Sequence, residues 1–171
     1  MRVLPSVFGS LMLMAFAISP LSANASIDED AILHEVREFY AGYIRSYTSQ
    51  KSQDLADNYM IAPLYFRNFE DVVFLQNRQE VVDYLASVFS KMTDQDYESS
   101  EILANNFCVL TETSAIVSIA FRRFNSNGDT ILESGASYSL FKFDGSWRIA
   151  MLSSHPSENI VSCEGSGKLS I

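Results

Sequence analysis

Residues Ser114–His155 constrain this chain more than any other stretch. Ser114–Phe124 alternates, placing Ala115, Val117, Ile119 and Phe121 on one face, which is the period of a half-buried strand. Asn125-Ser126-Asn127-Gly128-Asp129 follows, a turn composition with a glycine available for positive φ. A second alternating run reaches Phe143, then Asp144-Gly145, then Trp147-Arg148-Ile149-Ala150-Met151-Leu152. The pattern predicts two linked β-hairpins. Upstream, Tyr97–Ala104 and Phe107–Leu110 read as one long strand with a bulge or bend at Asn105-Asn106.

The half before these strands is helical. Ser26-Ile27-Asp28-Glu29 has the capping-box pattern. Ile32, Val36, Phe39, Tyr40, Tyr43, Ile44 and Tyr47 follow at helical spacing, to an end expected near Thr48. Ser52–Tyr59 predicts a short second helix. Pro63-Leu64-Tyr65-Phe66 and Val72-Val73-Phe74-Leu75 predict a short extended hairpin. Asn77 caps a third helix marked by Val81, Leu85, Val88 and Met92 and expected to end near Lys91. Helices followed by a run of strands indicate an α+β fold, with helices packed on a curved antiparallel sheet around a pocket.

The first 25 residues read as a separate object. Arg2 precedes the apolar run Val7–Ile18, which is too short to cross a hydrocarbon core of about 30 Å comfortably. Pro20 breaks the run, and Ala23-Asn24-Ala25 matches an A-x-A processing site, so a secretory signal peptide (1–25) cleaved before Ser26 is expected. The alternative is a retained membrane anchor. The expectation is export to a periplasm or medium, with no membrane association after cleavage. A single domain (26–156) and a polar, loosely held tail (157–171) complete the organisation. The full chain has 12 basic and 21 acidic residues; this acidic balance disfavours nucleic acid as a partner. Export makes Cys108 and Cys163 a candidate disulfide; the other reading is a buried Cys108 and a free thiol in the tail. No nucleophile spacing surrounds either cysteine.

The stretches Ala62-Pro63-Leu64-Tyr65-Phe66, Glu133-x-Gly135-x-x-Tyr138-x-Leu140 and Trp147-Arg148-Ile149-x-x-Leu152-x-x-His155 resemble those of a SnoaL-like protein of the nuclear transport factor 2-like superfamily, over about Asp28 to His155. The resemblance implies a cone-shaped, cystatin-like fold with an internal cavity and homodimers formed through the outer face of the sheet. It implies no single activity, because the superfamily includes isomerases, cyclases, dehydratases, binding proteins and assembly domains. Isomerase-type relatives carry an acid–base Asp where this chain has Ala62, and an oxyanion acid where it has Ser139; only the phenols of Tyr40 or Tyr43 match. Steroid-isomerase chemistry is therefore not expected.

Cyclase-type relatives use a His/Asp pair. Here His155 is the candidate acid/base, with Glu133, Asp71 or Tyr138 assisting; the plainer reading has His155 bonded to backbone at the rim. Two isolated histidines, His34 and His155, give no metal-ligand spacing, and no cofactor is indicated. Arg122 and Arg123 face opposite sides by alternation. One is expected to pair with Glu133 across strands, and the other reading is an arginine at the cavity mouth gripping a ligand carboxylate. Tyr40, Tyr43, Tyr47, Tyr65, Tyr138 and Trp147 are candidate pocket residues, serving as core bulk or as cavity lining. The function expected is binding of a small, mainly apolar molecule. The alternatives are a His155-dependent cyclase, isomerase or dehydratase, and a non-catalytic dimeric interaction module. The two faces of the late strands carry Val117, Ile119 and Phe121 against Ile116 and Phe124, so both are expected to be covered.

Overall fold

A computed structural model of the chain describes residues 28–163. The expected signal peptide and the last eight residues lie outside the described residues. The element order is α1 (Glu29–Thr48), α2 (Ser52–Asn58), β1 (Met60–Arg67), β2 (Val72–Leu75), α3 (Arg78–Asp94), β3 (Tyr97–Thr111), β4 (Ser114–Asn125), β5 (Thr130–Phe143) and β6 (Ser146–His155). This is the α+β order expected from the sequence. Among the described residues no helix is long and apolar enough to cross a membrane.

Local chemistry explains the helix ends. Asp28 caps α1: its side chain accepts from Ala31 N at 3.1 Å. Ser26 of the expected capping box lies outside the described residues. Glu29 and Asp30 sit in the first turn and Arg45 in the last, each matched to the sign of the helix dipole. Ile32, Val36, Tyr40 and Tyr43 form the buried face, three to four residues apart as one side of a helix demands. Asn77 caps α3 through Glu80 N at 3.1 Å, and Val81, Leu85, Phe89 and Met92 point inward. The helix runs one turn beyond the expected Lys91, to Asp94.

The six strands form one sheet in the order β2-β1-β6-β5-β4-β3. All neighbours are antiparallel except β1 and β6, which run parallel. That pair corrects the wholly antiparallel expectation. The connection between β1 and β6 contains α3 and four strands, ample length for the crossover a parallel pair requires. Asn105-Asn106, where a bulge or bend was expected, is regularly paired; the register shifts of the β3–β4 pairing lie on either side, at 97/99, 102/104 and 109/111. Such irregularities bend and twist a sheet. Two hairpin turns are set by their residues: Asp144 and Gly145 both have positive φ (48° and 75°), and Gly128 has φ 83°, conformations that favour Gly, Asn and Asp.

The inner face packs under α1 and α3. Val117, Leu140 and Ile149 are fully buried there, with Val36, Tyr43, Leu55, Leu64 and Val81 from the other elements. The outer face divides in two. Over β3, β4 and β5, the segment after Pro156, expected to be loose, is held down. Ser157 Oγ donates to Glu133 at 3.0 Å, Val161 N donates to Ser118 Oγ at 3.1 Å, and Asn106 Nδ2 donates to Val161 O at 2.9 Å. Cys163 is bonded to Cys108, with Cα atoms 5.6 Å apart. Over β2, β1, β6 and β5, Phe74, Tyr65, Met151 and Phe141 remain exposed. Tyr65 pairs in register with Phe74 on one side and Met151 on the other. The tail thus covers part of the face where a second subunit was expected, and leaves an apolar strip along the rest.

Candidate functional site: a tyrosine-lined cavity with one arginine

Between the helices and the inner face lies a partly open cavity of about 110 Å³. Tyr43, Ile44, Tyr47 and Thr48 of α1 form one wall, and Tyr84, Leu85 and Val88 of α3 another. The sheet contributes the side chains that alternation sends inward. These are Ile119, Phe121 and Arg123 from β4, Ala136 and Tyr138 from β5, and Leu152 and Ser154 from β6. Met60, Phe66, Ser100 and Ile102 complete the lining. Among the described residues the lining includes no His, Asp, Glu, Lys or Cys.

Of the aromatic residues proposed from the sequence, Tyr43, Tyr47 and Tyr138 line this space, joined ring to ring with Tyr43–Tyr138 centroids 5.4 Å apart and Tyr43–Tyr47 5.8 Å. Tyr40, Tyr65 and Trp147 do not. Tyr40 lies behind the lining, its ring 5.2 Å from that of Tyr138. Its buried hydroxyl makes no hydrogen bond among the described residues; the Tyr138 phenol is a close neighbour without hydrogen-bond geometry. Tyr65 points outward from β1 and stacks on Phe74 at 4.6 Å, because Leu64 and Phe66 take the two inward positions around it. Trp147 is buried away from the cavity. Its Nε1 donates to Glu35 Oε2 at 3.1 Å, and Lys142, ion-paired with the same carboxylate, lies over its ring at 5.2 Å. The bond from Lys142, then that from Trp147, holds Glu35 below the ordinary glutamate range. Burial first, and neighbouring phenols second, push the Tyr40 and Tyr43 hydroxyls well above the usual phenol range; burial likewise raises Tyr138 and Tyr84. These phenols are neutral at physiological pH.

The candidate acid/base pair stands on the other face. His155 Nδ1 lies 2.8 Å from Pro156 O and Nε2 lies 2.9 Å from Ser137 Oγ. A carbonyl can only accept, so Nδ1 carries a proton, and in the neutral imidazole Nε2 then accepts from Ser137. Ser118 Oγ is 2.8 Å from Ser137 Oγ and receives Val161 N. The two hydroxyls thus link the tail to the imidazole in one hydrogen-bonded chain. The His155 ring also lies over Gly135, where a Cβ would collide with Cε1 and Nδ1. Glu133, on the same face, takes Arg122 Nε and Nη2 on its Oε2 at 3.0 and 2.7 Å, while its Oε1 takes Ser157. The bond from Arg122, then that from Ser157, lowers its pKa. A role for His155 or Glu133 inside the cavity is thus corrected by their position. Asp71, the other proposed helper, has its amide tied to Asn68 Oδ1 in the β1–β2 turn.

Several lining residues escape a reading of the sequence: Tyr84, Ser100, Ile102 and Ser154, while Val88 is read there only as marking a face of α3. Tyr84 and Val88 lie four apart on α3, a helical signal that core packing would produce equally well. Ser100 and Ile102 share a parity on β3 that the strand's irregularities obscure. Among the described residues no group of three or more His, Cys, Asp or Glu could hold a metal ion.

Comparison with known proteins gives the same picture at the level of the fold. No curated protein matches the chain. Among solved structures, Aln2 from a Streptomyces species is similar with a TM-score of 0.61 and 12% identity, over 77% of this chain and 95% of that one. A domain of unknown function with a cystatin-like fold from Nostoc punctiforme gives 0.55 and 19%, over 75% and 76%. A putative scytalone dehydratase from Novosphingobium aromaticivorans gives 0.56 and 11%, over 74% and 84%. At such identities the likeness speaks for the fold alone. The family model described as NTF2-like protein (DUF6841) matches residues 34–157, most of the chain. The chain belongs to this NTF2-like family.

Proposed function

We propose that this protein binds a small, mainly apolar molecule in the cavity between α1, α3 and the sheet. One observation carries the reading: the cavity is partly open, walled by aliphatic and tyrosine side chains, and among the described residues its lining includes no His, Asp, Glu, Lys or Cys. Apolar walls with a few convergent polar groups are the usual make-up of a small-molecule site. The buried tyrosines supply neutral hydroxyls that orient a ligand without the cost of a buried charge. A cyclase, isomerase or dehydratase would need its acid/base elsewhere than at His155, whose two nitrogens are spent on Pro156 and Ser137. An interaction module with a self-filled core fits an open cavity poorly. Export by the N-terminal segment belongs to this proposal, as does self-association along the strip Phe74, Tyr65, Met151 and Phe141.

The test is mass spectrometry of small molecules that copurify with the full chain, against a variant whose cavity is filled by Ala136→Leu. Wild type is expected to carry a small organic molecule that the variant loses while retaining its circular dichroism. A compound retained equally by the filled variant would place binding outside the cavity and refute the reading.

A further inference from the structure

Among the described residues Arg123 is the one charged side chain lining the cavity. Its Nη2 donates to Tyr47 Oη at 2.9 Å, and its guanidinium lies 5.1 Å from the Phe121 ring centroid and 5.7 Å from that of Tyr47. No carboxylate of the described residues pairs with it; the ion pairs among them are Arg78–Asp57, Arg122–Glu133 and Lys142–Glu35. On the neighbouring strand β5, Glu133 stands opposite Arg122 and is taken by it on the other face. Arg123 is half-buried against aromatic rings, so its charge is partly stripped of water without an anion to compensate. A guanidinium offers five N–H donors in a planar fork, and one phenol oxygen uses one of them.

We propose that Arg123 is the anion-binding residue of this cavity, and that the ligand is a small organic monocarboxylate whose apolar body lies among Met60, Phe66, Ile119 and Leu152. This rests on the proposed binding function and names its ligand class. The fork matches a carboxylate through two parallel hydrogen bonds. Tyr47 and the two ring contacts hold the fork in place, so little side-chain freedom remains to be lost on binding. A single cation balances a single negative charge; a phosphate dianion would be left under-compensated in a lining that is otherwise uncharged.

The experiment titrates the full-length chain with 3-(4-fluorophenyl)propanoate and with its primary amide, followed by fluorine NMR. Wild type is expected to bind the acid about tenfold or more tighter than the amide, a difference of one charge-assisted bidentate contact. Arg123→Gln is expected to abolish that preference by weakening the acid while leaving the amide within about twofold. Arg122→Gln, on the outer face, is expected to change neither. If Arg123→Gln does not fold, Arg123→Lys replaces it and is expected to lose most of the preference, because an ammonium cannot make the paired contact. Equal binding of acid and amide by wild type, or an unchanged preference in the Arg123 variants, would overturn the carboxylate assignment and leave the cavity reading intact. Binding of neither compound would also overturn it, while the copurification test judges the cavity reading separately.

Discussion

Arg122 and Arg123 are adjacent in the chain and live in opposite chemical worlds. Arg122 points to the outer face, where Glu133 accepts two of its N–H groups and Ser157 completes the carboxylate. Arg123 points to the inner face, where it meets a phenol and two aromatic rings and no acid among the described residues. The same contrast runs along β5. Ser137 is bonded into the His155 relay on the outside, and Tyr138 lines the cavity on the inside. Strand alternation decides which residue goes where, and surroundings then decide what it does. On the outer face over β3–β5, polar groups find partners and hold the tail. On the inner face the donors are left partly unused, which is what a binding site requires and a finished core avoids.

This division can be tested by perturbing one face at a time. The largest effect is expected from reducing Cys108–Cys163, whose sequence separation is 55. On the chain-entropy model the bond is worth about 4 kcal/mol, so denaturant unfolding of oxidised and reduced protein should differ by about that amount. A negligible difference would mean that the tail adds nothing to the outer face. Next comes the neighbouring pair Leu140 and Phe141. Leu140 is fully buried inside, and Leu140→Ala should cost about 3 kcal/mol. Phe141 is 43% exposed outside; Phe141→Ser should stay within about 0.5 kcal/mol of wild type in stability. If the strip mediates self-association, the same change should shift sedimentation toward the monomer. Equal costs for the two would undo the assignment of faces.

Gly135→Ala should be smaller, about 2 kcal/mol, because the added methyl meets the His155 ring and Pro156 O. Combining it with His155→Ala should recover part of that loss, a non-additivity that a thermal-melt double-mutant cycle would read. The smallest effect belongs to Glu133→Gln. The Glu133 pKa is lowered from its ordinary 4.5 in the folded state. Its contribution is therefore fully present above about pH 4.5 and fades as pH falls through the lowered value. The stability gap between wild type and Glu133→Gln should be small at neutral pH, exposed ion pairs being weak, and should narrow on acidification. A gap that widens in acid would reverse the sign of the account.

Much of the sheet is legible in the sequence because period two is a strong signal. Ser114–Phe124 alternates so regularly that its inner and outer residues separate on sequence alone, and Asp144-Gly145 marks the β5–β6 hairpin through the positive φ both residues adopt. The resemblance motif becomes intelligible on the same basis. In Glu133-x-Gly135-x-x-Tyr138-x-Leu140, Glu133 and Gly135 serve the outer face, while Tyr138 and Leu140 serve the cavity and core. What the sequence does not disclose depends on contacts distant along the chain. Glu133 is drawn to Ser157, 24 residues on, and Ser118 to Val161, 43 residues on, so the tail reads as loose. Analogy of role alone puts His155 at the cavity. A register shift between Ser139 and Leu140 in the β5–β6 pairing changes strand parity, and His155 ends on the outside. The parallel β1–β6 pair is hidden for a similar reason, since a short segment before α3 does not announce which edge it will join.

The most direct test of the two-faced account is a residue-resolved NMR titration of the full-length chain with 3-(4-fluorophenyl)propanoate. The account predicts saturable shift changes at Tyr43, Tyr47, Arg123, Ala136 and Tyr138, with Ser118, Ser137, Gly135 and His155 unmoved. Shifts centred on His155 and Ser137, with the Arg123 and Tyr138 signals unchanged, would contradict it.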